Sequence, residues 1–287
     1  MMTQAIKDVL SFQAFRPDAD DSNAQVEKRM DGKRYLIINI SRSRVSWKSV
    51  DRKGKFDQSG DMKGDFLDVA GQMAEEWRSM TDGGWVVLSI NNRFIITQEA
   101  NLSRKPGAES IIRNNPKSII GAKYDRSRRY SLYHHPETSA SLLLACEESM
   151  LQSYEESLGK YGLKAARICC GLFAMTEEFL RQRFAEKEGG DFVLLACCDG
   201  SALVLASKNG QWSDLRSRSG LYADQDIEPL ANLAGPVLGG AEEGCPIFLL
   251  HDEKESEFAE VLYEQLKESG AKSETREDRL WTVIGKN

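Results

Sequence analysis

The chain has 287 residues, 41% hydrophobic and 29% charged, with 38 Lys and Arg against 44 Asp and Glu, a net charge of −6. At roughly 100–200 residues per domain, that is one large domain or two ordinary ones, able to bury a core without disulfides or a structural metal. The acidic balance argues against a nucleic-acid binder, and apolar stretches such as Phe192–Cys198 fall far short of the ~20 residues that span a bilayer.

The N-terminus (Met1-Met2-Thr3-Gln4) lacks the basic start and apolar run of a signal peptide. The expectation is a soluble, cytoplasmic protein. Six cysteines agree with it. The adjacent pairs Cys169-Cys170 and Cys197-Cys198 lack the C-x2-C spacing of a zinc site and read as small buried apolar side chains.

The composition of residues 1–33 predicts a flexible N-terminal arm. Ile6, Val9, Leu10 and Phe12 could line a short docking helix, but the polar, proline-marked stretch Arg16–Asn23 suits a plain tail equally well. From Arg34 the pattern changes. Tyr35–Ile40 is a β-branched run, Val45–Val50 alternates apolar and polar, and Lys55–Ser59 follows a turn at Asp51–Gly54, which makes a three-stranded meander. Phe66, Val69, Ala70, Met73, Ala74 and Trp77 mark one helix face, Gly83-Gly84 stops that helix, and Trp85–Ile90 is a buried strand.

The middle of the chain predicts strands at Phe94–Thr97, Ser131–Tyr133, Ser141–Cys146 and Ala165–Ile168, and helices at Ser149–Tyr161 and Leu172–Lys187. The stretch Leu102–Arg129 reads as an irregular, basic, exposed insertion. About 160 residues after the first meander the same order returns. Phe192–Cys198, Ser201–Ala206 and Gln211–Leu215 are strands joined by Asp199-Gly200 and Asn209-Gly210, both strong two-residue hairpin turns. A helix over about Asp226–Leu238, a strand at Pro246–Leu250, a helix at Glu255–Ser269 and a last strand at Leu280–Ile284 complete the chain.

The chain is therefore α/β, with a duplicated βββαβ unit. Two lobes are expected, residues 34–190 with an inserted subdomain at about 94–146, and residues 191–287. This plan resembles the actin-like, ribonuclease H-like ATPase superfamily, in which two halves close over a nucleotide. Within it the phrases Ser141–Leu151 (SLLLACEESML) and Tyr161–Ile168 (YGLKAARI) are similar to the PilM-type scaffold of type IV pili and the GspL-type cytoplasmic domain of type II secretion.

The resemblance implies two phosphate loops. Active members carry an Asp at the end of the first strand, which positions hydrated Mg²⁺, followed by Gly and small hydroxyl residues. The matching stretch here is Asn39-Ile40-Ser41-Arg42-Ser43, where only Ser41 and Ser43 keep the pattern. The second loop corresponds to Asp199-Gly200-Ser201, better explained as a type I′ turn. The adenosine loop is Gly-rich in the family, whereas His251-Asp252-Glu253-Lys254 contains no glycine, and its acidic side chains would oppose phosphates if they pointed inward.

Other motifs are weaker. Gly235–Gly244 is a helix stop and not a P-loop, and His134-His135 reads as a surface pair with no third metal ligand. Basic residues Arg113, Lys117, Lys123, Arg126, Arg128 and Arg129 interleave with tyrosines in the insertion. They form either an ordinary solvated loop or a docking surface for an acidic partner segment or anionic lipid.

The resemblance implies a non-catalytic scaffold of a pilus or type II secretion platform, at the inner face of the inner membrane and peripheral to it at most. Its partners would be the cytoplasmic segment of a membrane protein and an assembly ATPase, with no nucleic acid and no metal or nucleotide required. The alternative is a nucleotide-binding ATPase using ATP and Mg²⁺, or a small-molecule kinase.

Overall fold

A computed structural model describes residues 30–101, 115–134, 140–185, 190–209, 211–221, 228–240, 244–252, 263–264, 271–275, 280–281 and 284. The first meander is β1 (Tyr35–Ile40), β2 (Arg44–Val50) and β3 (Phe56–Lys63), followed by α1 (Phe66–Ser79) and β4 (Trp85–Ile90). The second is β9 (Phe192–Cys198), β10 (Ser201–Lys208) and β11 (Gln211–Ser219), followed by α5 (Glu228–Gly239), β12 (Ile247–His251) and β13 (Ala271–Thr275). Between them lie β5 (Ile96–Asn101), α2 (Lys117–Ile120), β6 (Arg128–His134), β7 (Ala140–Glu147), α3 (Glu148–Gly159), β8 (Lys164–Cys170) and α4 (Gly171–Ala185).

Two five-stranded sheets have the same order, β3-β2-β1-β4-β8 and β11-β10-β9-β12-β13. In each the meander is antiparallel, and the first strand of the meander pairs in parallel with the strand after the helix, β1 with β4 and β9 with β12. The duplication read from the sequence is thus a duplication of topology. The inserted strands form a separate sheet, β5-β7-β6.

Each unit begins for local reasons. The Asp65 carboxylate caps α1 by accepting from the Leu67 N–H at 2.9 Å. The helix then buries Phe66, Val69, Ala70, Ala74 and Trp77 against the sheet. Trp77 meets the edge of Trp47 on β2 with ring centroids 5.5 Å apart.

Strand β9 shows how the lobes share a core. Phe192, Leu194, Ala196 and Cys198 belong to the large cluster that contains β1, β4 and β8. The alternate residues Val193, Leu195 and Cys197 face a second cluster with Leu230, Ala234 and Val237 of α5. A strand apolar on both faces needs a cover on each side, so the seven-residue run of β9 demands the first lobe on one face and α5 on the other.

Two expectations change. Leu280 and Ile284 are helical and not a strand. Both are buried, and their spacing of four puts them on one helix face toward the core, a pattern that a short apolar run such as LWTVI shares with a buried strand. The strand that closes the second sheet is β13, parallel to β12. The second change is that the basic insertion is not irregular throughout, since α2 and the start of β6 lie within it. The N-terminal arm before Met30, Arg113, His135 and most of the helix expected at Glu255–Ser269 lie outside the described residues.

Candidate functional site

The C-terminal ends of β1, β4, β9 and β12 converge where the lobes meet, the edge of parallel strands at which ligands bind in open α/β sheets. Asn39, near the end of β1, is buried, and its Nδ2 donates to Asp199 Oδ2 at 2.8 Å, across the lobes. Because a carboxylate only accepts, this contact fixes which end of the amide faces Asp199. Asn39 Oδ1 is buried without a partner.

Asp199 and Gly200 join β9 to β10 with φ of 50° and 67°. Positive φ at both central residues is what a type I′ turn requires, so the turn reading of this pair holds. The same geometry aims the Asp199 carbonyl at the first lobe, where it accepts from Asn91 Nδ2 at 2.9 Å.

The remaining expected residues spread out. Ser41 donates its hydroxyl to the Arg44 carbonyl at 2.9 Å, which closes the β1–β2 turn on itself, and Ser43 is exposed. Ser201 is buried and donates to Ser219 Oγ at 3.1 Å. Asn39 and Asp199 are brought together, then, while Ser41, Ser43 and Ser201 serve their own lobes.

Asp252, directly after β12, points inward. It is 5% exposed and accepts from the Cys198 thiol at 3.4 Å. Ligand atoms of Cys198, Asp199 and Asp252 lie within 4.8 Å of one another. Burial, reinforced by the two carboxylates, pushes the Cys198 thiol well above its ordinary range.

The fold family implies Mg²⁺ and a nucleotide at this point, where the chain offers the Asn39 amide near the end of β1 and brings the Asp199 and Asp252 carboxylates close together. Asn39 ties the end of β1 directly to the β9–β10 turn, beside the buried Asp252.

Among the basic residues, Lys117, Lys123 and Arg126 are exposed, and Arg128 pairs with Asp125 at 3.4 Å. Arg129 is committed elsewhere. Its guanidinium forks onto Glu148 and Glu155 of α3 with its side chain only 14% exposed, so it braces the insertion and does not offer itself to a partner. Sequence reasoning missed Asn91, Asn92 and Ser219. Only the asparagine pair at the end of β4 hinted at them, since two polar residues after an apolar strand also suit a plain turn.

The fold and the cleft between its lobes define an actin-like ATPase fold. No family model and no curated protein matches the sequence. Among the solved structures similar in fold are three with the following likeness. One is the PilM-PilN type IV pilus biogenesis complex, with a TM-score of 0.60 and 13% identity over 87% of this chain and 89% of that one. A Bacteroides thetaiotaomicron protein with an actin-like ATPase fold and unknown function has a TM-score of 0.57 and 10% identity over 91% and 98%. The cytoplasmic domain of EpsL, an inner membrane component of the type II secretion system of Vibrio cholerae, has a TM-score of 0.50 and 12% identity over 88% and 92%.

Proposed function

We propose that this chain is a non-catalytic actin-like scaffold of a type IV pilus or type II secretion assembly platform, holding the cytoplasmic segment of an inner-membrane partner. One observation supports the non-catalytic part of this reading. Asn39 Nδ2 donates to Asp199 Oδ2 across the lobes, beside the buried Asp252, at the positions where the resemblance expects phosphate loops.

Support for the platform comes from likeness of fold to the PilM-PilN complex and to the cytoplasmic domain of EpsL. Among the described residues no helix is long and apolar enough to cross a membrane. Lys117, Lys123 and Arg126, exposed on the insertion of an acidic chain, suit an acidic partner segment. An assembly ATPase is a second partner consistent with such a platform.

Calorimetric titration with Mg-ATP tests the reading. The expected result is no heat of binding. Micromolar binding with hydrolysis overturns it in favour of an ATPase or small-molecule kinase. Pull-down with cytoplasmic peptides of membrane proteins encoded beside this chain tests the partner. Capture that Lys117→Glu and Arg126→Glu abolish is the expected outcome.

A further inference from the structure

Three asparagines at the ends of two adjacent first-lobe strands reach into the second lobe. Asn39 Nδ2 donates to Asp199 Oδ2 at 2.8 Å, Asn91 Nδ2 to the Asp199 carbonyl at 2.9 Å, and Asn92 Nδ2 to Ser219 Oγ at 3.1 Å. All three are buried, at 2%, 3% and 6% exposure. Strands β1 and β4 are parallel neighbours, with Asn39 opposite Ser89, so the donors emerge from the same sheet edge.

The acceptors are equally well held. Asp199 sits in the left-handed region at φ 50°, which Asp and Asn tolerate better than other side chains with a Cβ, and it offers both its carboxylate and its carbonyl to the first lobe. Ser219 is fixed by Ser201, its partner across the β10–β11 ladder. Asn91 is locked at both ends of its amide, because its Oδ1 accepts the Arg93 N–H at 2.9 Å and leaves Nδ2 for Asp199.

We propose that Asn39, Asn91 and Asn92 form a latch that keeps the lobes closed with no nucleotide, in place of the ligand that ties the lobes of an active member. The inference deepens the scaffold reading above. With the cleft shut by the chain's own side chains, the lobes move as one body, and a partner is left with their outer surface. Each latch bond is worth about a tenfold shift in the opening equilibrium, more where the acceptor is ionised.

The test is a reciprocal exchange in the full chain. Asn39→Asp sets a second carboxylate against Asp199 and opens the cleft. Asp199→Asn alone keeps a hydrogen bond, since Asn39 can donate to the new amide oxygen, and Asn tolerates the positive φ. The double variant Asn39→Asp/Asp199→Asn restores the pair with donor and acceptor swapped.

Amide hydrogen exchange over 36–43, 88–94 and 196–204, with 66–79 as internal reference, reads the opening. Expected is exchange at least tenfold faster in Asn39→Asp, near wild type in Asp199→Asn, and recovered in the double variant. Asn91→Ala should also open the same three segments. Equal exchange in wild type and Asn39→Asp, or a double variant no slower than Asn39→Asp, overturns the latch.

Mg-ATP binding by the wild type bears on the scaffold reading alone. If ATP binds while the exchange pattern holds, the latch stands without the scaffold reading. If ATP does not bind and the pattern fails, the latch falls and the scaffold reading stands.

Discussion

Arg129→Ala tests how the inserted sheet is held to the first lobe. The guanidinium on β6 donates from Nε to Glu148 Oε2 at 2.8 Å, from Nη2 to Glu148 Oε1 at 2.6 Å and from Nη2 to Glu155 Oε2 at 3.0 Å, and it also pairs through Nη1 with Glu155. Side-chain exposures of 14% for Arg129, 29% for Glu148 and 18% for Glu155 place the cluster between surface and core. Breaking a fully buried pair by removing one partner costs ~3–5 kcal/mol, and an exposed pair contributes under ~1 kcal/mol. Two forked contacts in partial burial put the loss at about 2–4 kcal/mol, which for a chain of this size lowers Tm by roughly 5–10 °C.

The pH dependence has a definite sign. The Arg129 guanidinium holds Glu148 below the ordinary glutamate value of 4.5. A carboxylate with a depressed folded pKa contributes stability that is fully present above its unfolded value and is lost as pH falls through its folded one. The gap between wild type and Arg129→Ala in urea unfolding is therefore widest at pH 7 and narrows below about pH 4. Arg129→Lys keeps the charge but loses the fork, and falls between the two. A loss under ~1 kcal/mol at pH 7, or one that does not change on acidification, refutes the argument.

Further outcomes follow from packing and burial. A Cβ at position 60 would lie 2.5 Å from Trp47 Cζ2, and that ring is pinned by Trp77, so Gly60→Ala costs about 1–3 kcal/mol in a thermal melt. Gly84→Ala is worse, because its Cβ would meet the Gly162 carbonyl oxygen at 2.2 Å and its φ is 80°, so the variant should yield little soluble protein. Five of the six cysteines are buried and Cys245 is half-buried. Burial pushes Cys146 and Cys170 up to about 12, so at pH 8 a thiol reagent should label one site in the native chain, Cys245, and six after unfolding.

Much of the fold was legible because it is local. The period-two alternation of Val45–Val50, the i, i+3, i+4 face of Phe66–Trp77 and the Asp199-Gly200 turn each depend on neighbours within a few residues. Their repetition in the same order then implied two sheets of the same topology. Leu280–Ile284 was misread because a five-residue run with apolar ends satisfies both periods, and only packing against the core decides for helix.

The site divides the same way. By itself the sequence determined that Asn39 lies near the end of β1 and that His251-Asp252-Glu253-Lys254, without glycine, follows the last strand of the repeat. That a carboxylate and glycines are expected there is what the resemblance implies. Only the tertiary structure decided what those residues do. Asn39 meets Asp199 across 160 residues of chain, Asn92 meets Ser219 across 127, and Arg129 turns away from solvent toward α3. Side-chain type fixes what a group can donate or accept, while its partner depends on how two separately folded sheets dock, and nothing in local spacing carries that information.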